Sequence, residues 1–191
     1  LVQGAPGERS AVELLAARLD PRGFEIEIVG PSDRPSLIAT HRGRGDGSSL
    51  VLNGHLDTVG VDGMDDPFNP RIEGDRMYGR GTCDMKAGVA AMVVAAEHTA
   101  TAGHDGDIVL ALVADEEDGS LGTAAVLEHL NGRLPDACIV GEPTWLDVLV
   151  AHRGFSALEV EIRGRAAHSS RPHEGINAVT LHGAGLKFAI A

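Results

Sequence analysis

At 191 residues the chain can hold one ordinary domain, or one domain and part of a second. Its 43% hydrophobic content excludes a disordered polypeptide, and with one Trp, one Tyr and four Phe its core must be packed mainly from small and branched aliphatic side chains. Lys and Arg number 16 against 28 Asp and Glu, a net charge of −12 that argues against a nucleic-acid surface and tolerates bound cations.

Glu8 to Leu19 predicts a helix whose apolar face is Val12, Leu14, Leu15 and Leu19, ended by Pro21 and Gly23. Phe24 to Val29 and Ser36 to His41 predict strands. Ser49 to Asn53 is a short apolar strand that runs straight into Gly54-His55-Leu56-Asp57. Gly60 to Arg76, with Gly63, Pro67, Pro70 and Gly74, reads as a long loop. Asp84 to Thr101, rich in Ala, Val and Met, predicts a helix buried on most sides. Asp107 to Val113 is a strand that ends in Asp115-Glu116-Glu117, Gly122 to Leu130 a helix, and Ala137 to Val140 a strand that ends in Gly141-Glu142. Helices alternating with apolar strands predict an α/β fold, a mixed, largely parallel sheet sandwiched by helices. In such sheets ligands bind beyond the carboxyl ends of the strands, and three strands here deliver His or acids to that end. The composition shifts near Val150. Phe155 to Ile162 alternates as a strand, and Gly175 to Ile190 reads as a helix. One strand and one helix cannot bury a core alone, so residues 1–150 are assigned to one domain and 151–191 to the start of an α+β second domain.

Four places along the sequence carry chemistry. His55-x-Asp57 at a strand end suits a metal ligand and the carboxylate that orients it, although the pattern alone is weak. Asp84, among the glycines of Gly79 to Gly88, is either a helix N-cap or a buried acid facing a ligand. Asp115-Glu116-Glu117 is either a solvated run or a site. Adjacent acids at the end of a buried strand repel one another unless a cation neutralises them, and neighbouring glutamates can divide metal binding from proton transfer. Glu142 is a ligand or a turn residue. His55, Asp84, Glu117 and Glu142 would form an N/O donor set with Glu116 as a base, which suits Zn²⁺, with Mn²⁺ or Co²⁺ as alternatives. A bridging carboxylate could hold two ions about 3.5–4 Å apart. Cys83 and Cys138 are too few to staple the domain; each reads as a small buried hydrophobe, and a reducing, cytoplasmic compartment is expected. No apolar run reaches the ~18 residues of a membrane helix, so no membrane span is expected.

These stretches in this order resemble the metal-dependent aminoacylase and carboxypeptidase family that includes acetylornithine deacetylase and succinyl-diaminopimelate desuccinylase. The resemblance rests on Gly54 to Val59, Gly79 to Gly88, Asp115 to Glu117, Gly141 to Thr144 and Gly164 to Pro172, and covers nearly the whole chain. It implies a two-zinc centre in which His55 and Glu142 hold one ion, Glu117 shares in holding the other and Asp84 bridges them. It further implies that Asp57 orients His55 and that Glu116 is the general base acting on a zinc-bound water. It makes residues 1–150 the catalytic metal-binding domain and the second domain, from 151, a lid and dimerisation domain. Through that lid domain a homodimer would form, and from it His168 would reach the carbonyl oxygen of a small N-acyl amino acid or dipeptide. The resemblance also implies a last zinc-ligand His in a later, C-terminal segment. His173 and His182 are poor substitutes for it, so the 191 residues are expected to be incomplete and inactive alone.

Overall fold

A computed structural model describes residues 7–151, 153–154 and 161–180. They fall into two compact units divided at Val148/Leu149. In the first unit, α1 (Gly7–Leu19), α2 (Ala87–Ala102) and α3 (Leu121–Leu130) surround a five-stranded sheet of β1 (Glu25–Val29), β2 (Ser36–His41), β3 (Leu50–His55), β6 (Ile108–Val113) and β7 (Ala137–Val140). A separate hairpin pairs β4 (Arg71–Glu73) with β5 (Arg76–Tyr78).

The sheet order is β1-β2-β6-β3-β7. β3 runs parallel to both β6 and β7, while β2 is antiparallel to its two neighbours, so four of the five strands share one direction. Both faces of β2, β3 and β6 are covered, which explains why these strands read as apolar runs, whereas the edge strands β1 and β7 are largely exposed. Leu37 and Ala39 of β2 and Leu110 and Leu112 of β6 point to one face, where they pack with Val12 and Leu19 of α1 and Val89, Met92, Val93 and Ala96 of α2. Ile38, Ala111 and Val113, the alternate positions, pack with Val51 and with Val126 of α3 on the other face. The period-two alternation of a strand thus feeds two cores at once.

Four expectations are corrected. The segment from Gly60 to Arg76 is not wholly loop: Gly74 (φ 64°) allows a two-residue turn, and the flanking exposed strands pair without any apolar alternation to announce them. The long helix begins at Ala87 rather than Asp84, because Gly81 (φ 78°) and the extended Asp84 (φ −113°, ψ 107°) break the backbone ahead of it. That helix buries one stripe, Val89, Met92, Val93 and Ala96, rather than most of its surface. Cys83 and Cys138 are free and exposed, not buried. No helix among the described residues is long and apolar enough to cross a membrane.

The second unit is described in part. Arg165 bridges Ile176 in antiparallel fashion, and Pro172–Glu174 forms a short helical turn. The predicted strand from Phe155 lies outside the described residues up to position 160, and the predicted helix lies outside them from position 181, together with His182.

Candidate metal centre

Because β3, β6 and β7 run in the same direction, their carboxyl ends open on one side of the sheet, and each continues into polar residues there. β3 ends on His55, which is 1% exposed. Its Nδ1 donates to the main-chain oxygen of Asp57 at 3.1 Å, with the Asp57 carboxylate at 3.4 Å. Pinning Nδ1–H in this way turns Nε2 towards Asp84 Oδ1 at 2.9 Å and Glu142 Oε1 at 3.7 Å. The buried main-chain N–H of His55 donates to Met85 Sδ at 3.2 Å, which ties the strand end to the turn that carries Asp84.

That turn reaches the site because the chain between Gly81 and Lys86 is not a regular helix. Lys86 donates to the carbonyl of Leu56 at 2.7 Å and that of Asp57 at 3.4 Å, fastening its far end. Burial lowers the Lys86 pKa, opposed by the charges of Asp57, Glu8 and Asp84. On the β7 side, a Cβ on Gly88 would stand 2.2 Å from the main-chain oxygen of Gly141. Only glycine lets the first turn of α2 come this close to the segment that presents Glu142.

The Asp57 carboxylate has a second duty. Its Oδ1 accepts the N–H of Glu116 and its Oδ2 the N–H of Glu117, each at 3.1 Å. Burial works against its charge, but His55 and these two N–H groups outweigh burial and hold its pKa below the usual value. The Asp57 side chain therefore binds the loop after β6 as well as facing His55, whose nearer partner is the Asp57 carbonyl.

Two overlapping sets of donor atoms lie within 4.8 Å of one another, His55 with Asp84 and Glu142, and His55 with Glu116 and Glu117. Among the described residues these acids crowd around one imidazole, His55, whose charge works against their mutual repulsion. Burial and the charge of Asp84 raise the Glu117 pKa, and burial raises that of Glu142 with Asp84, Glu116 and Glu117 adding to it against His55. For His55, burial disfavours the charge, yet Asp57, Asp84 and Glu142 prevail and push it up to about 9. A proton on Nε2 thus sits where a cation would bind. One imidazole nitrogen with a cluster of carboxylates, without thiolate, fits Zn²⁺ or a similar divalent ion.

The predicted residues His55, Asp57, Asp84, Glu116, Glu117 and Glu142 are brought together. His168 belongs to the second unit, where Ser170 supplies its Oγ at 2.8 Å and its main-chain N–H at 3.2 Å to Nδ1, leaving Nε2 to carry the proton of the neutral ring. Asp115, first of the three adjacent acids, is separate from the other two. It is buried and bonded to Arg34, which in turn lies 3.8 Å from Glu8. Lys86, Arg34 and Glu8 were not legible as site neighbours; Lys86 alone lay within a recognised motif.

Comparison with known proteins accords with this geometry. The chain is 39% identical over 185 residues to a succinyl-diaminopimelate desuccinylase of Dinoroseobacter shibae, covering 90% of this chain and 49% of that protein. It is 37% identical over 179 residues to an acetylornithine deacetylase of Pasteurella multocida, covering 91% and 46% respectively. The chain thus spans about half the length of the curated relatives it matches. Among solved structures, a tripeptidase from Staphylococcus aureus superposes with a TM-score of 0.64 at 20% identity, over 94% of this chain and 50% of that one, which speaks to the fold. Residues 51–181 match the family described as Peptidase family M20/M25/M40, whose enzymes are metal-dependent hydrolases, and the chain belongs to that family.

Proposed function

We propose that this chain carries the metal-binding catalytic part of a two-zinc hydrolase that cleaves the amide bond of a small N-acyl amino acid. The observation that carries the reading is the convergence of His55, Asp84, Glu142, Glu116 and Glu117 at the ends of three parallel strands. His55 and Glu142 would hold one ion, Glu117 would contribute to the other, and Asp84 would lie between them. Zinc, when bound, supplies Lewis-acid polarisation of the amide carbonyl and lowers the pKa of water.

The remaining work falls to side chains. Asp57 fixes the tautomer of His55 and holds the peptide units of Glu116 and Glu117. Glu116 takes a proton from the attacking water as its oxygen bonds to the carbonyl carbon. The C–N bond then breaks, and Glu116 delivers that proton to the departing amine, leaving a carboxylate and a free amino group. His168 would donate from Nε2 to the carbonyl oxygen of the substrate. An acyl amino acid is favoured over a peptide because the relatives at 37–39% identity are named as a desuccinylase and a deacetylase. The reading extends to a cytoplasmic homodimer formed through the domain that begins at residue 151.

The test is Glu116→Gln in the full-length protein. Zinc content should remain that of the wild type while kcat on N-acetyl or N-succinyl amino acids falls by roughly 10²–10⁴-fold, the usual contribution of a positioned acid–base group. Undiminished turnover would remove Glu116 from the mechanism. Faster hydrolysis of dipeptides than of acyl amino acids would shift the substrate class to a peptidase.

A further inference from the structure

We propose that Arg34 is a positioning residue of the hydrolytic centre: its guanidinium spans the buried carboxylates of Glu8 and Asp115 and so orients the loop that carries Glu116 and Glu117. The inference rests on the reading of Glu116 as base and Glu117 as metal ligand.

Asp115 adjoins Glu116 in sequence yet faces away from it, with a left-handed φ of 63°. Its carboxylate is 1% exposed. Oδ1 accepts from Arg34 Nη1, and Oδ2 accepts the N–H of Leu121 at 3.3 Å, at the start of α3. Its carbonyl accepts the N–H of Ser120 at 2.5 Å. Asp115 therefore closes the segment from 115 to 121 from within. Asp57 grips the same segment from the β3 side, through the N–H groups of Glu116 and Glu117. Two carboxylates thus hold three consecutive residues, so a rotation at Asp115 must be passed to the peptide units that aim the two glutamates.

Arg34 holds Asp115 in place from the connection between β1 and β2. Two residues further on, the Ser36 hydroxyl accepts the N–H of Ala114 at 3.0 Å, so one short stretch of chain grips two successive residues at the end of β6. Glu8, in the first turn of α1, is 2% exposed, and its Oε1 lies 3.8 Å from Arg34 Nε. Glu8 Oε2 has no hydrogen-bond partner among the described residues. A buried carboxylate with an orphaned oxygen is costly unless a cation balances it. Here one guanidinium faces two buried carboxylates, Glu8 with its orphaned oxygen and the fully bonded Asp115. Its planar fork presents Nη1 to Asp115 and Nε towards Glu8 in one fixed geometry, which the compact, freely rotating ammonium of a lysine does not reproduce. Without it Asp115 would be an uncompensated buried anion, and reorienting it towards solvent or towards bound metal would carry Glu116 and Glu117 along.

The experiment compares Arg34→Met, Arg34→Lys, Glu116→Gln and Val93→Ala in the full-length protein, reading kcat, KM, zinc affinity and melting temperature. Arg34→Met should lower kcat and zinc affinity by roughly 10–100-fold each, the range typical of residues that orient metal ligands, with KM changed less than about twofold. Arg34→Lys keeps the charge and spares the fold, and should still lower kcat and zinc affinity several-fold. Val93→Ala, in the α2 core, should lower the melting temperature and leave kcat and zinc affinity intact. If Arg34→Met does not fold, Arg34→Lys decides by the same criteria. Wild-type kcat and zinc affinity in Arg34→Lys beside a crippled Glu116→Gln would overturn the positioning role alone. So would losses no larger than those of Val93→Ala at a matched fall in melting temperature. Full turnover in Glu116→Gln would bring down the reading of Glu116, and this role with it.

Discussion

The two ends of the sheet use the same residue types to opposite effect. At the amino ends of the strands, Glu25, Asp107 and Asp136 each have a partner. Arg42 bonds Glu25 and Asp107, each at 2.8 Å, and Asp136 accepts the N–H and Oγ of Ser49 at 2.7 and 2.9 Å. The pKa of Asp107 is lowered by the N–H of Gly43, against burial, and by Arg42, while that of Asp136 is lowered by Ser49. At the carboxyl ends, Glu117 and Glu142 are raised because they are partly buried and face other acids, against the charge of His55. Paired acids secure a fold. Acids crowded against one another and a single imidazole cost stability that a bound cation can return.

The sharpest way to break this contrast is to remove the residue shared by both donor sets. His55→Ala should lose the zinc that His55 would hold with Glu142 and reduce turnover by more than the roughly 100-fold that outer positioning residues cost. Metal content by elemental analysis, measured beside kcat, checks it. With His55 held to about 9 in the metal-free protein, its contribution to stability is complete below the unfolded value near 6.5 and is lost as pH rises through about 9. Zinc affinity should run the other way, rising with pH over that window as the proton leaves Nε2.

The opposite end should answer differently. Arg42→Ala severs two largely exposed ion pairs, so unfolding should become easier by no more than about 1 kcal/mol, with kcat and zinc content unchanged. A loss of zinc in that variant would mean that the two ends are not independent.

The smallest effect concerns His41, whose Nδ1 lies 2.8 Å from His104 Nε2. His104 Nδ1 donates to the carbonyl of Gly106 at 2.5 Å, so His104 Nε2 accepts and His41 Nδ1 carries the proton between them. Burial lowers the His41 pKa, and the charges of His104 and Arg44 lower it further against Asp107. A depressed pKa reverses the sign found for His55. The contribution of His41 is complete above its unfolded value near 6.5 and is lost as pH falls below it. His41→Asn should flatten that acid-side loss of melting temperature, and an unchanged slope would assign it to other groups.

What could be read without coordinates follows from where the information lies. β2, β3 and β6 are covered on both faces, so their apolar runs are a local signal, as is the arrival of His55, Glu116 and Glu142 just after strands. The β4–β5 hairpin is exposed along its length, so no hydrophobic pattern records it. Asp84 looked like a helix start because the apolar run of α2 follows it. The actual break depends on Gly81 and on the tie from Met85 to His55, a contact 30 residues apart. Asp115 could not be told from Glu116 and Glu117 because its partner Arg34 is 81 residues away and carries no motif. Charge and spacing are local, whereas neutralisation is a tertiary event.

The central claim, that the crowded acids at the carboxyl ends exist to hold catalytic metal, is tested most directly by chelation and reconstitution of the full-length protein. The account predicts that the metal-free enzyme does not hydrolyse N-acyl amino acids, melts at a lower temperature near pH 8, and regains both activity and stability as about two equivalents of zinc are restored. A metal-free protein that turns over at the wild-type rate, or a zinc titration that raises neither activity nor melting temperature, would contradict it.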